Sequence, residues 1–316
     1  MFRRNAADAC RIFTHSVAAL ASLIASLPAL ARTLEVGPNA PYHQPSAAIA
    51  TALPGDTVEI APSTYFDCAV LSASRLTVIG KGPGVVLTDK TCEGKAIFIT
   101  HGNEITIENI TFARARVPDQ NGAGIRVEGR DLTVVNCRFI DNEDGILAGD
   151  ATGSRIIIRD SEFLDNGKCA SECAHGIYVG HVALLHIENS RFSRTKEGHH
   201  VKSRALQTEL VNDTITDGPE GTSSYLVDIS NGGSLVMENN VLEKGPMSSN
   251  WSAAIVIGAE GVTQPTARLL IRNNRFTNDN EHPTIFVRNL TATAASLIGN
   301  QFHGKVQPLS GDGSVR

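Results

Sequence analysis

The apolar and polar positions of this chain fall into one recurring phrase. Between residues 105 and 302 the pattern apolar-x-apolar-x-Asn-x-x-Phe returns eight times. Its copies are ITIENITF (Ile105 to Phe112), LTVVNCRF (Leu132 to Phe139), IIIRDSEF (Ile156 to Phe163), LHIENSRF (Leu185 to Phe192), TELVNDTI (Thr208 to Ile215), LVMENNVL (Leu235 to Leu242), LLIRNNRF (Leu269 to Phe276) and ASLIGNQF (Ala295 to Phe302). The anchors Asn109, Asn136, Asp160, Asn189, Asn212, Asn239, Asn273 and Gly299 advance by 27, 24, 29, 23, 27, 34 and 26 residues. Each period also holds a second short strand, among them GIRV, GIYV, HHVKS, LVDIS and TIFV. Both phrases alternate apolar with polar residues, the mark of a strand with one buried face, and no long stretch here has helical spacing.

A repeat of this length means stacked units, each burying its apolar face only against its neighbours. The predicted fold is therefore all-β: a single-stranded parallel β-helix of about ten coils, spaced about 4.8 Å apart. Like residues then fall on like. Phe112, Phe139, Phe163, Phe192, Phe276 and Phe302 belong on one ladder. The Asn and Asp anchors form another, at a bend where Asn tolerates left-handed backbone and can bond its copy above. Leucine-rich spacing is absent, and a propeller needs longer blades. PSAAIATA (residues 45–52) has helical composition, and a short helix there would cover the open first coil.

The ends set the domain plan. Residues 1–31 combine a basic start, the apolar run VAALASLIASLPAL and an Ala29-Leu30-Ala31 cleavage pattern, which together read as a secretory signal. The run is too short to anchor the mature chain in a membrane. Residues 32–54 are expected as the N-terminal cap, 55–304 as the β-helix and 305–316 as a frayed polar tail. Removing Arg3, Arg4, Arg11 and Asp8 takes Lys+Arg from 28 to 25 and Asp+Glu from 33 to 32, a mature net charge of −7. That balance argues against a nucleic-acid partner. The chain is expected to be periplasmic or secreted, and monomeric.

An oxidising compartment changes the reading of the cysteines. Cys68 and Cys92 lie 24 residues apart, about one coil, which brings them within disulfide reach. Cys169 and Cys173 in DNGKCASECAH are read as a second disulfide, with a metal site of Cys169, Cys173 and His175 as the rival; a fourth ligand is not evident. Cys137 faces inward as a free thiol. No metal or cofactor is required by the sequence, although DNEDG (Asp141 to Gly145) and DNG (Asp165 to Gly167) are turns that calcium also favours.

Chemistry concentrates on three neighbouring second strands. Placing apolar residues inward points Tyr178, His200, Lys202, Arg204 and Asp228 outward, and buries His199. The expected columns are Tyr178–His200–Leu226 and Gly180–Lys202–Asp228, with Arg204 beside Ser230 and Asn231. This grouping suits an acidic sugar. Arg204 and Lys202 would neutralise a uronate carboxylate. His200 or Lys202 would take the proton beside it, and Tyr178 would hand a proton to the leaving oxygen or to the opposite face. Asp228 would hold Lys202, while Asn231 and His175 would help bind substrate. A Lys–Asp pair across strands is also an ordinary surface ion pair.

PGDTVEIAPSTYF followed by LTVIGKGPGVVL resembles the opening coils of the pectin-lyase-like superfamily, which implies a right-handed β-helix over roughly residues 55 to 304. Glu197 to Ser203, ending in VKS, resembles the Glu-to-Lys segment of the alginate and chondroitin lyases; the following coil, where that family carries its Arg, offers Asp228 and Asn231. HGIYVG, GHHVKSRA and YLVDISNGG are similar to phrases in a group of secreted bacterial β-helix proteins. Paired carboxylates for sugar hydrolysis and the DPHD motif of mannuronan epimerases are absent. Two functions follow. One is a lyase or epimerase acting on an acidic, uronate-containing polysaccharide. The other is a non-catalytic polysaccharide-binding or envelope scaffold protein using the same groove.

Overall fold

The computed structural model describes residues 31–170 and 172–316. The leader expected over residues 1–31 lies, but for Ala31, outside them. Three parallel sheets run the length of a solenoid. Sheet one has twelve strands, from Thr33–Val36 to Gly313–Val315. Sheet two has ten, from Ser63–Tyr65 to Gln301–Gly304, and sheet three has ten, from Ala69–Leu71 to Val306–Ser310. In each coil the first half of the repeated phrase lies in sheet one and its Phe end in sheet two. The second short strand lies in sheet three.

The anchor is the corner between sheets one and two. All seven Asn and Asp anchors have φ between 50 and 59°, and Gly299 has 64°. A side chain at this corner must accept left-handed backbone, which explains the choice of residues. The ladder of side-chain bonds sits mostly one residue later than expected. Only Asn136 bonds a neighbouring anchor, donating to Asn109 Oδ1 at 2.7 Å. Inside the corner, Ser190, Asp213, Asn240, Asn274 and Asn300 each accept the backbone N–H of the corresponding residue one coil back. Buried backbone needs such partners, and the post-anchor residue is the one that faces in.

Phe112, Phe139, Phe163 and Phe192 are in register and stack at 5.3, 4.6 and 4.3 Å. Ile215 and Leu242 continue the same column to Phe276 and Phe302. The helix Pro45–Thr51 packs Ala48 and Ile49 over the first coils. Cys68–Cys92 is a disulfide with Cα atoms 5.5 Å apart, and Cys169–Cys173 is a second. Cys137 is a buried free thiol, pushed up to about 12 by burial. The polar end is not frayed. Val306–Ser310 pairs with Thr284–Asn289, and Gly313–Val315 pairs with Ala295–Ile298, completing a last coil. Backbone pairing on a preformed edge outweighs the weak hydrophobicity that suggested a tail. No helix among the described residues is long and apolar enough to cross a membrane.

Candidate active site

Sheet three carries the candidate site on its outer face. Its outward column reads Arg126, Leu147, Tyr178, Lys202, Asp228, Val256 across consecutive coils. Lys202 faces Asp228 as expected, whereas Tyr178, expected beside His200, lies one column over and flanks Lys202 on its other side. The cause lies in the corner before each strand. The strand proper is only Val201–Ser203, and the two histidines before it do not alternate.

His200 turns inward and is fully buried, which overturns its expected place on the outer face. Its Nδ1 lies 2.7 Å from Thr195 Oγ1 and its Nε2 2.9 Å from Asp217 Oδ1. Lys244 shares Asp217 from the other side at 3.9 Å, and is pulled down to about 8 by burial. His199, expected inside, faces the site instead.

Three residues before each column member stands a second ladder: Asp144, His175, His199, Tyr225. The first three side chains each satisfy the next coil. His175 N–H donates to Asp144 Oδ1 at 2.7 Å, His199 N–H to His175 Nδ1 at 3.0 Å, and Tyr225 N–H to His199 Nδ1 at 3.1 Å. The rings stack, His175 on His199 at 4.9 Å and His199 on Tyr225 at 5.2 Å. Accepting at Nδ1 fixes the proton of both neutral imidazoles on Nε2. Burial, with Lys202 nearby, lowers both: His199 to about 3 and His175 well below its ordinary value.

Above these ladders lies a cleft of about 910 Å³, walled by residues 119–121 and by Glu172, Cys173 and Ala174 of the disulfide hairpin. Lys202, Arg204, Arg126 and Tyr178 line it. Arg204 Nε donates to Tyr178 Oη at 2.8 Å, and its other nitrogens reach Asn231 Oδ1 and Glu260. Lys202 Nζ and the Arg204 guanidinium lie 5.5 and 5.6 Å from the Tyr178 ring centre, where its π face attracts cations.

Glu260 replaces Asp228 as the main partner of Lys202. Its Oε1 is 2.7 Å from Nζ, whereas Asp228 Oδ2 is 3.9 Å away. Asp228 instead accepts from Ser230 Oγ at 2.8 Å, faces His199 Nε2 at 3.5 Å, and leaves Oδ1 unpartnered. Burial raises it to about 6. Asn231 is a buried support: its amide donates to the carbonyls of Glu260 and Gly261. His175 lines the cleft but is almost wholly covered.

Sequence reasoning missed Arg126, Asp144 and Glu260. Arg126 was findable, because its strand Ala123–Val127 holds it in the same outward column. Glu260 comes from a loop 58 residues after Lys202 and carries no periodic signal. In the turns weighed for calcium, Asp141 lies against Arg116 and Lys196 and Asp165 against Arg194, while Glu143 and Asp144 accept backbone N–H groups. In the exposed group Glu93, His101 and Glu128, Lys95 contacts both glutamates.

The right handed beta helix region, as a sequence family, matches residues 78–215 and again 170–311. This chain belongs to that family. No curated protein matches it. Among solved structures, this β-helix protein is similar to pectate lyase Pel9A, with TM-score 0.59 and 15% identity over 88% of this chain and 78% of that one. It is similar to an alginate lyase from Paenibacillus sp. str. FPU-7, with TM-score 0.51 and 16% identity over 88% and 99% of the two chains. It is also similar to ORF18 of Geobacillus virus E2, with TM-score 0.53 and 13% identity over 82% and 56%. At these identities the likeness is one of fold.

Proposed function

We propose that this β-helix protein acts on an acidic, uronate-containing polysaccharide by removing the proton beside the carboxylate, leading to β-elimination or C5 epimerisation. The observation that carries the reading is the convergence of Tyr178, Lys202 and Arg204 on adjacent coils of one cleft. Likeness of fold to a pectate lyase and an alginate lyase supports a carbohydrate-active role. Two disulfides suit a periplasmic or secreted protein, which we take to act as a monomer.

The roles follow from what each group has free. Arg204, with Arg126 near, neutralises the carboxylate, which makes the proton beside it acidic enough to remove. His200 is inside the core. His175 and His199 have given their lone-pair nitrogens to backbone N–H groups, so neither can accept a proton. Lys202 is left as the base at the centre of the column: it meets the incoming carboxylate as an ammonium and takes the C5 proton after releasing its own proton to solvent. Tyr178, adjacent in register, is the acid. In elimination, the C5–H electrons form a C4–C5 double bond while the C4–O bond breaks and its oxygen takes the Tyr178 proton. In epimerisation, Tyr178 returns a proton to the opposite face of C5.

The test is ultraviolet absorbance of unsaturated uronate ends during incubation with alginate, pectate, glycosaminoglycans and bacterial exopolysaccharides. Growth of absorbance on one polymer, lost in Lys202→Ala and Tyr178→Phe, is the expected result. A flat trace together with no solvent-proton exchange at C5 would overturn the reading and leave polysaccharide binding without turnover.

A further inference from the structure

Two of the three cations that line the cleft, Lys202 and Arg204, are already bridged by a carboxylate of the chain itself. Glu260 places Oε1 2.7 Å from Lys202 Nζ, and its Oε2 accepts from Arg204 Nη2. Arg204 also touches Tyr178 Oη, so the bridging carboxylate lies beside the phenol assigned as acid. A ligand carboxylate recognised by Lys202 and Arg204 has to use the same donors.

Glu260 is built to hold this position without being locked into it. Its loop runs from Gly258 to Gly261, whose φ values of 85 and 92° lie in the left-handed region that favours glycine. The loop backbone is fixed independently of the carboxylate. Glu260 N–H donates to Ser230 O at 2.9 Å, and Asn231 holds the Glu260 and Gly261 carbonyls. The side chain, 39% exposed, reaches back from this fixed loop into the cleft. A rotation about its own bonds would free Lys202 and Arg204 with no change in the coils.

We infer that Glu260 is an internal occupant of the carboxylate subsite, and that a single hexuronate carboxylate takes its place between Lys202 and Arg204. The inference rests on the uronate reading for the identity of the ligand, but not for the existence of the masked anion site. Glu260 then acts as a specificity element. Neutral sugars cannot displace it, while a carboxylate exchanges one charge-assisted pair for another.

The experiment is calorimetric titration of the full chain and its Glu260→Gln and Glu260→Ala variants with tetragalacturonate, tetramannuronate and sodium sulfate, with melting temperatures as folding controls. Glu260→Gln should bind one of the uronates about tenfold more tightly than the unaltered protein. The gain should disappear in Lys202→Ala/Glu260→Gln. Sulfate binding that appears only in the Glu260 variants, with no uronate bound by any form, would keep the masked anion site and overturn the uronate reading. Equal or weaker binding of every probe in folded Glu260→Gln would overturn the inference. So would a gain that survives loss of Lys202.

Discussion

His199 stacks on Tyr225 at 5.2 Å while its Nδ1 accepts the Tyr225 backbone N–H at 3.1 Å. One imidazole thus joins two coils by ring contact and by hydrogen bond. This bond is available only to the neutral ring. The unfolded chain binds a proton at the ordinary value of 6.5, whereas the folded His199 resists it to about 3. Protons bound by the unfolded state alone favour unfolding, so the His199 contribution is complete above about pH 6.5 and is lost as pH falls towards 3. His199→Phe keeps a stacking ring but cannot titrate. It should melt below the unaltered protein at pH 7.5, and the gap should narrow as pH falls to about 4. Parallel melting curves would show that the ring does not carry this acid sensitivity.

Asp213 stands inside the anchor corner between Ser190 and the run of amides Asn240, Asn274 and Asn300. Asn240, Asn274 and Asn300 use their amide nitrogens to hold the carbonyls of Leu210, Met237 and Ile271. Asp213 has an oxygen at that position, and its Oδ2 is unpartnered. Burial raises the carboxyl to about 7 from an ordinary 3.8, so the folded state holds a proton that the unfolded state has released. Its effect is therefore destabilising as pH rises from 3.8 to about 7. Asp213→Asn should stabilise by about 1–3 kcal/mol at pH 8 and by less at pH 5. Denaturant unfolding at both values checks this, and a loss of stability at pH 8 would refute it.

Arg204 is not replaceable by lysine. Its planar fork meets Tyr178, Asn231 and Glu260 together, which a single ammonium cannot do. If the protein is a uronate lyase or epimerase, Arg204→Lys should lower kcat/KM by roughly a hundredfold. Its melting temperature should move little, because partly exposed ion pairs contribute under about 1 kcal/mol. Full activity in the variant would remove Arg204 from the mechanism.

The two disulfides should behave differently. Cys68–Cys92 spans 24 residues and ties one coil to the next, so Cys68→Ser/Cys92→Ser should lose about 3 kcal/mol in denaturant unfolding. Cys169–Cys173 spans only 4 residues and forms one wall of the cleft. Its loss should change stability less and, on the proposed function, weaken binding of a uronate polymer. Equal loss of stability from both bridges would contradict this division.

The phenylalanine ladder, the left-handed anchors and both disulfides were legible because each depends on the repeat period or on a short spacing. The site was legible only in part. Tyr178, Lys202, Arg204 and Asp228 do meet, but alternation was extended across the corner before Val201, and this exchanged the faces of His199 and His200. Corner geometry depends on backbone bends that leave no period-two trace. Glu260 was hidden for another reason. Its loop belongs to no strand, so only the folded solenoid shows which coil it leans towards.

The outward column takes its chemical groups turn by turn: Arg126, then beyond the apolar Leu147 come Tyr178, Lys202 with Arg204, and Asp228, with Glu260 arriving from a later loop. Stability in such a stack is a sum over adjacent neighbours. Function here is not a sum. Excision of the turn between Tyr178 and Asp228 would leave apolar faces able to close on each other, yet it would erase Lys202 and Arg204 together. Duplication of that turn would separate Tyr178 from Asp228 by a further step. The architecture can gain or lose whole turns during evolution, but the chemistry is tied to one uninterrupted sequence of them.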